Sequence, residues 1–258
     1  MNDLVSIHVD GHKGWLTMNR PDKLNALSRE LVAEMKNGLD QLSENENVKV
    51  IVLSGEGKSF CAGGDIASMN DIASSSEAAK WVEYVSSLSR KILEIDKYVV
   101  AAIHGYAAGA GFSLALACDF IIAKKDAKFA LSFSNIGLIP DLGLIRSLSE
   151  RVPSPIAKEW ISSSKIVTAV EAHEQGIVNR LTEGSLYDEV TDFTKFIEEG
   201  PNVVNKYVKF LINHIDDASL DNYFMTENII QTTLLQTYDH KEGVQAFFEK
   251  RKPHFQGR

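Results

Sequence analysis

Three stretches of the chain carry residues whose types and spacing could do chemistry. The first is FSNIGLIPDLGLIRSL, Phe133 to Leu148, which sets one carboxylate, Asp141, among apolar side chains with no basic residue within four positions. A carboxylate kept from water has its pKa raised, which strengthens it as a base near neutral pH. The other two are FCAGGDI, Phe60 to Ile66, and GYAAGAGFS, Gly105 to Ser113, each rich in glycine and each following an apolar run. Without a Cβ at Gly63, Gly64, Gly109 and Gly111, neighbouring amides can point into a cleft, and the second stretch also opens a helix whose positive end favours negative charge. Two converging N–H groups suit an enolate or a tetrahedral oxyanion, and one such donor is worth roughly 3–4 kcal/mol in a transition state.

Each stretch also has a plainer reading. Glycines serve tight turns and close packing of helix on strand. Asp141 stands just before an expected helix, Leu142 to Val152, where an aspartate at the N-cap contributes about 1 kcal/mol. Pattern alone leaves cap and base equally open. A dinucleotide site at Gly109 and Gly111 is set aside, because the third glycine of that fingerprint is missing and no acid ends a following strand about 20 residues on.

The remaining polar residues are weaker candidates. Asp65 is expected to shape its turn, and Asp119 to accept backbone amides where a helix gives way to a strand. His104 adjoins the second glycine turn. His8 and His12 lie across a hairpin turn, a spacing that does not make a metal site. Cys61 and Cys118 read as small buried apolar residues, and Ser113 has no paired base nearby.

Regular elements must position these stretches. Leu4 to Met18 alternate around Asp10-Gly11, which predicts an opening β-hairpin. Ser28 can cap a helix whose Leu31, Met35, Leu39 and Leu42 recur at helical spacing, and VKVIVLSG, Val48 to Gly55, reads as a buried strand. Trp81, Val85, Leu88, Ile92 and Ile95 form a second apolar stripe, followed by the strand YVVAAIHG. GAGFSLALAC, Gly109 to Cys118, is expected to start a helix directly after that strand, and DFIIAK to follow as a third strand. This alternation predicts a mostly parallel sheet with right-handed crossovers. VEAHEQGIVNRL reads as a helix stopped by Gly176 plus a short strand, and Leu186 to Lys250 as nearly all helix. The expected division is a core at 1–185 and a helical region at 186–258. Ile72 to Ala78 is the one expected mobile loop, and Asp65 to Tyr84 the segment expected to shape a substrate pocket.

With 258 residues, 44% hydrophobic and 24% charged, the chain can build one sizeable core. A formal charge of −8 and the absence of a basic stripe argue against nucleic acid as a partner. Two cysteines outside any ligand-like cluster fit a reducing compartment. The N-terminus has no basic-then-apolar leader, and no apolar run reaches the ~18 residues of a membrane span. These features predict a cytoplasmic protein without a membrane partner.

The motifs together resemble the crotonase, or enoyl-CoA hydratase/isomerase, superfamily over essentially the entire length. In chain order they are MNRPDKLNALS (Met18 to Ser28), VIVLSGEGKSFCAGGDI (Val50 to Ile66), VVAAIHGYAAGAGFSLALACDFIIA (Val99 to Ala123), FALSFSNIGLIPDLG (Phe129 to Gly143), IVTAVEAHEQGIV (Ile166 to Val178) and EGVQAFFEKRKPHF (Glu242 to Phe255). The resemblance implies an α/β fold, a crotonase-type ββα spiral with a C-terminal all-helical region that mediates trimers or dimers of trimers. It implies an acyl-coenzyme A thioester as substrate, with no tightly bound cofactor and no metal. The oxyanion hole would be the backbone N–H groups of Gly64 and Ala110; alanine at the second position keeps the donor. Coenzyme A would lie near Lys23, Leu24, Ala26, Ala62, Asp65 and Ile66, with Lys250 or Lys252 as phosphate contacts.

Where hydratases of the superfamily carry their two catalytic glutamates, this chain has Ser113 and Phe133. Water addition needs an acid and a base around one water, which serine and phenylalanine cannot supply. In the isomerase-like branches a carboxylate stands at the position of Asp141, and moving a double bond needs one base only. The resemblance therefore favours Asp141 as base over cap. It implies a Δ3,Δ2-enoyl-CoA isomerase or the similar ring-substrate isomerase acting on epoxyphenylacetyl-CoA. The alternatives are an enoyl-CoA hydratase of fatty-acid β-oxidation and, in another class, a non-catalytic acyl-CoA-binding or scaffold protein.

Overall fold

Apolar runs whose successive side chains point to opposite faces build the centre of the molecule. The computed structural model describes residues 3–65 and 74–258. Strands β1 (Val5–Asp10) and β2 (Lys13–Met18) form the antiparallel hairpin, and β3 (Val50–Gly55), β4 (Tyr98–Ile103), β6 (Phe120–Lys124) and β9 (Arg180–Thr182) extend it in parallel, in the order β1-β2-β3-β4-β6-β9. Ile51, Leu53, Val99, Ala101, Ile103 and Ile121 face one side of this sheet, into the main core. Their neighbours Val50, Val52, Val100, Ala102 and Ile122 face the other side. A strand covered on both faces reads as an unbroken apolar run.

The main face is covered by α1 (Arg29–Glu44), α2 (Ser75–Glu94) and α3 (Ala110–Ala117). Ser28 caps α1 by accepting the Leu31 amide at 3.3 Å, and Leu31, Met35, Leu39 and Leu42 are buried. In α2 the stripe Trp81, Val85, Leu88 and Ile92 is buried. Ser75 to Ala78, read from sequence as loop, form its first turn, because Ser74 accepts the Glu77 amide at 3.2 Å. Ile72 and Ala73 lie outside the described residues, as does the first part of the segment expected to shape a pocket. Helix α3 is buried on every side.

A second sheet departs from the sequence reading. β5 (Tyr106–Ala108) stands between β4 and α3, pairs in parallel with β7 (Lys128–Ala130), and β7 pairs antiparallel with β8 (Ile166–Thr168). Three-residue strands are too short to show a period. The expected helix at Leu142 to Val152 is shorter, α4 (Leu144–Ser149), because Leu142 (φ 53°) and Gly143 (φ 84°) turn left-handed before it. Then come α5 (Ser154–Ser162), α6 (Ala169–Glu174), α7 (Leu186–Glu198), α8 (Asn202–Asn213), α9 (Leu220–Leu234) and α10 (Tyr238–Glu249). Helix α7 seals the second face of the sheet with Val190 and Ile197. Helix α9 buries no residue, and Phe224, Met225, Ile229, Phe247 and Phe248 of α9 and α10 stand exposed. No described helix is long and apolar enough to cross a membrane.

Candidate active site

The two glycine turns meet because strand pairing continues past the ends of β3 and β4. The Cys61 amide donates to the Tyr106 carbonyl at 3.1 Å, and the Ala108 amide to the Cys61 carbonyl at 2.9 Å. A Cβ on Gly63 would sit 2.7 Å from the Ala108 oxygen and 3.4 Å from the Ala110 nitrogen, so only glycine allows this approach. Gly109 adopts φ 50°, ψ −123°, a conformation closed to side chains, and turns the chain from β5 into α3.

Peptide planarity then aims two amides. A trans peptide points its carbonyl and its N–H in opposite directions. The Gly63 carbonyl accepts from the Leu27 amide at 2.7 Å, which turns the Gly64 N–H away from Leu27. The Gly109 carbonyl accepts from the Phe112 and Ser113 amides at 2.9 and 3.1 Å, which leaves the Ala110 N–H at the open end of α3. Among the described residues neither the Gly64 nor the Ala110 amide has an acceptor. Two unbonded donors on adjoining peptides, one at a helix N-terminus, can hold a developing oxyanion.

Asp141 is no cap: the N-cap of α4 is Gly143, without a side-chain bond. Its carbonyl accepts the Leu144 amide at 3.1 Å, while Oδ1 of its side chain is buried without a hydrogen-bond partner. Burial pushes its pKa up to about 6, with a bond from its own backbone amide opposing. The apolar surroundings differ from the sequence expectation. Phe133 and Leu142 are buried, whereas Ile136, Leu138 and Ile139 are exposed on this chain, with Ile139 78% accessible. The short 3-10 turn Ser134–Ile136 ends at Gly137 in the left-handed region and carries these side chains outward.

Neither hydratase position offers a carboxylate. Ser113 lies inside α3, its hydroxyl donating only a long bond of 3.4 Å to the Gly109 carbonyl. The Phe133 ring reaches the Gly109 turn, where a Cβ would lie 3.9 Å from its Cζ. A cavity of about 610 Å³ opens at the C-terminal end of α3, where Leu142 and Gly143 line it together with Asp119, Arg146, Arg151 and Lys209; neither Asp141 nor the glycine turns line it.

The loop at residues 20–27 is tied to the first glycine turn. Ala62 donates its amide to the Leu24 carbonyl at 2.9 Å, and Asp65 its amide to the Leu27 carbonyl at 3.1 Å. Lys23 and Leu24 are exposed and Ala26 half-buried. Asp65 does more than shape its turn, since its carboxylate pairs with Arg20 at 2.7 Å, and Arg20 also donates to the Ala26 carbonyl at 2.9 Å. Ile66 lies outside the described residues. Lys252 is elsewhere on the chain: it pairs with Glu199, whose neighbour Glu198 reaches Lys13 at the start of β2. That is the end where the strands begin, opposite the glycine turns. Lys250 ends α10 at φ 55° on the same segment.

Other candidates take structural parts. His104 holds the Gly57 carbonyl at 3.0 Å and His12 the Asn47 carbonyl at 2.8 Å. Cys61 and Cys118 are buried thiols with raised pKa. No group of three potential ligands among the described residues could hold a metal ion. The sequence reading missed Arg20 and Asn25, whose bonds to Asp65, Glu56 and Ser59 span 31 to 45 residues and leave no local signal.

The sequence pattern of the enoyl-CoA hydratase/isomerase family matches residues 14–258. Over its full length the chain is 31% identical to 1,2-epoxyphenylacetyl-CoA isomerase of Escherichia coli, itself covered completely. It is 32% identical to crotonyl-CoA hydratase of Syntrophomonas wolfei over 93% of each chain. Among solved structures, an enoyl-CoA hydratase from Polaromonas sp. JS666 superposes with a TM-score of 0.93 at 31% identity, covering 98% of this chain and 99% of that one.

Proposed function

The chain belongs to the enoyl-CoA hydratase/isomerase family, and from that premise we propose that it moves the double bond of an enoyl-CoA thioester from C3–C4 to C2–C3, with Asp141 as the single acid/base. The observation that carries this reading is Oδ1 of Asp141, buried without a hydrogen-bond partner, in a chain that has Ser113 and Phe133 where the hydratases carry glutamates. In this reading Asp141 takes the C2 proton, and the C–H electron pair moves into the C1–C2 bond as the thioester oxygen becomes negative. The Gly64 and Ala110 amides stabilise that oxygen. The protonated Asp141 then returns the proton to C4, C2–C3 becomes double, and the carbonyl re-forms. One proton moves and no water is consumed. A carboxyl with pKa near 6 suits both halves, being largely ionised at pH 7 yet basic enough to accept from carbon.

The acyl chain would be linear or, as the isomerase relative's name indicates for that protein, ring-bearing. Coenzyme A would cross the loop at Lys23, Leu24 and Ala26 and the turn at Ala62, Asp65 and Ile66. Residues 186–258 would serve assembly into a homotrimer or a dimer of trimers, which covers the exposed apolar residues of α9 and α10. Since Lys250 and Lys252 sit far from the turns of their own chain, their contact with a coenzyme A phosphate would be made across such an interface. The buried thiols fit a cytoplasmic setting.

The test is a parallel assay of 3-hexenoyl-CoA, followed by the absorbance of the conjugated thioester, and of crotonyl-CoA, followed by 3-hydroxyacyl-CoA formation. Isomerisation exceeding hydration by about a hundredfold is the expected outcome, since hydration lacks its second acid/base group. Hydration at the higher rate would make the protein a hydratase. Binding of both thioesters without turnover of either would make it an acyl-CoA binder.

A further inference from the structure

Asn25 and the Cys61 thiol take no part in the proton transfers above, yet both are fully buried, and the thiol bonds the residue before the Gly64 donor. Asn25 has φ 56°, a left-handed conformation that asparagine tolerates better than most residues. Its side chain joins three backbone segments. Oδ1 accepts the Arg20 amide at 2.9 Å, and Nδ2 donates to the Glu56 and Ser59 carbonyls, both at 2.9 Å. Its own carbonyl accepts the Cys61 thiol at 3.1 Å. The thiol has one proton, and the Gly63 carbonyl, at 4.0 Å, is the poorer acceptor. The Cys61 sulfur in turn accepts the Gly63 N–H at 3.4 Å.

Gly63 is thereby held at both ends, its N–H by Cys61 and its carbonyl by Leu27. With φ at 102° and no side chain, it has no rotational restraint of its own. We propose that Asn25 and Cys61 are positioning residues that hold the 62–63 peptide and, together with the Leu27 bond on the other side of Gly63, aim the Gly64 N–H at the thioester oxygen. The proposal rests on the enolate reading given above. A sulfur that served only as core filling would need no proton donated to Asn25 and no amide donated to it. Burial keeps the thiol protonated, its pKa pushed up to about 12, so the donor is permanent. The same chain of bonds links the loop at residues 20–27 to the donor, giving coenzyme A bound there a route to the reacting carbonyl.

The experiment compares Cys61→Ala, which removes both bonds, with Cys61→Ser, which retains a donor and an acceptor. Three readouts are taken: kcat and KM for 3-hexenoyl-CoA, the melting temperature, and the infrared carbonyl frequency of bound hexanoyl-CoA labelled at its thioester carbon. We expect Cys61→Ala to lower kcat about tenfold with KM little changed, a fraction of the effect of deleting an oxyanion donor. The bound carbonyl should shift back toward its frequency in water, and Cys61→Ser should recover most of both. Asn25→Asp, which loses the two N–H donors, should show the same pattern more strongly. An unchanged kcat and carbonyl frequency in Cys61→Ala overturns the proposal. So does a loss that tracks melting temperature and is not rescued by serine, which would mark packing alone. Hexanoyl-CoA needs no turnover, so the frequency decides the question even if no isomerisation occurs.

Discussion

Two aspartates near helix α3, both withdrawn from water, have opposite surroundings. Asp119, just beyond the C-terminal end of α3, accepts the Val99 amide at 2.7 Å and the Lys209 ammonium at 2.9 Å, and Lys209 itself is buried and donates to the Ile92 and Lys97 carbonyls. Asp141, in the turn leading to α4, leaves Oδ1 buried with nothing to accept from. Burial raises the pKa of both, against the opposing charge of Lys209 at Asp119 and against a bond from the residue's own backbone amide at Asp141. A buried carboxylate surrounded by donors is spent on holding elements together, here α8 against the sheet. An oxygen without a donor, like Oδ1 of Asp141, keeps its lone pairs free, and its cost in stability has to be offset by the rest of the fold.

Exchanging the two roles by mutation is the direct way to break this contrast. Asp141→Asn should lower kcat for a 3-enoyl-CoA by about a thousandfold or more, as loss of a sole acid/base does, while competition assays show thioester binding intact. A variant within tenfold of wild type would place the base elsewhere. Lys209→Met should do the reverse. It strands the Asp119 charge and should lower unfolding stability by about 3 kcal/mol in urea titration, with the kcat/KM of the folded protein within roughly threefold of wild type. A fully stable Lys209→Met would show that Asp119 is protonated or finds another donor.

A smaller effect sharpens the same contrast through pH. The folded pKa of Asp141, about 6, lies above its ordinary value of 3.8, so the folded state holds the proton more tightly than the unfolded chain. Its ionisation therefore subtracts stability as pH rises from about 4 through 6, and none of this penalty is present below that window. Asp141→Asn should then be more stable than wild type at pH 7.5, by about 1 kcal/mol after allowance for partial solvation. The gain should vanish near pH 4. A difference that does not change with pH would mean the Asp141 environment is not the cause. The smallest effect belongs to Ser113, whose hydroxyl makes one long bond within its own helix. Ser113→Ala should alter kcat by less than about twofold, and a large loss would bring Ser113 into the proton path.

How much of this could be read from the sequence differs between the frame and the site. The hairpin, α1 and α2 and the parallel strands were legible because each carries a full period of apolar residues and, at Ser28, a cap. The turn that frees Asp141 was not. Leu142 in a left-handed conformation has no local signature, and leucine is the last residue one would place there. The meeting of the two glycine turns, through pairing of Cys61 with Tyr106 and a three-residue β5, is a tertiary fact with no local signal. The exposure of Ile136, Leu138 and Ile139 went unforeseen for a related reason: apolar character predicts burial, and the left-handed Gly137 that ends the short turn and carries these side chains outward has no apolar period to announce it.

The pH dependence of kcat/KM for a 3-enoyl-CoA tests the central claim most directly, since it reports ionisations of the free enzyme. The account predicts a single ascending limb with an apparent pKa of about 6, absent from the residual rate of Asp141→Asn. A bell with two ionisations, or a limb that survives in Asp141→Asn, would show that a second group shares the proton transfer and that Asp141 is not the sole base.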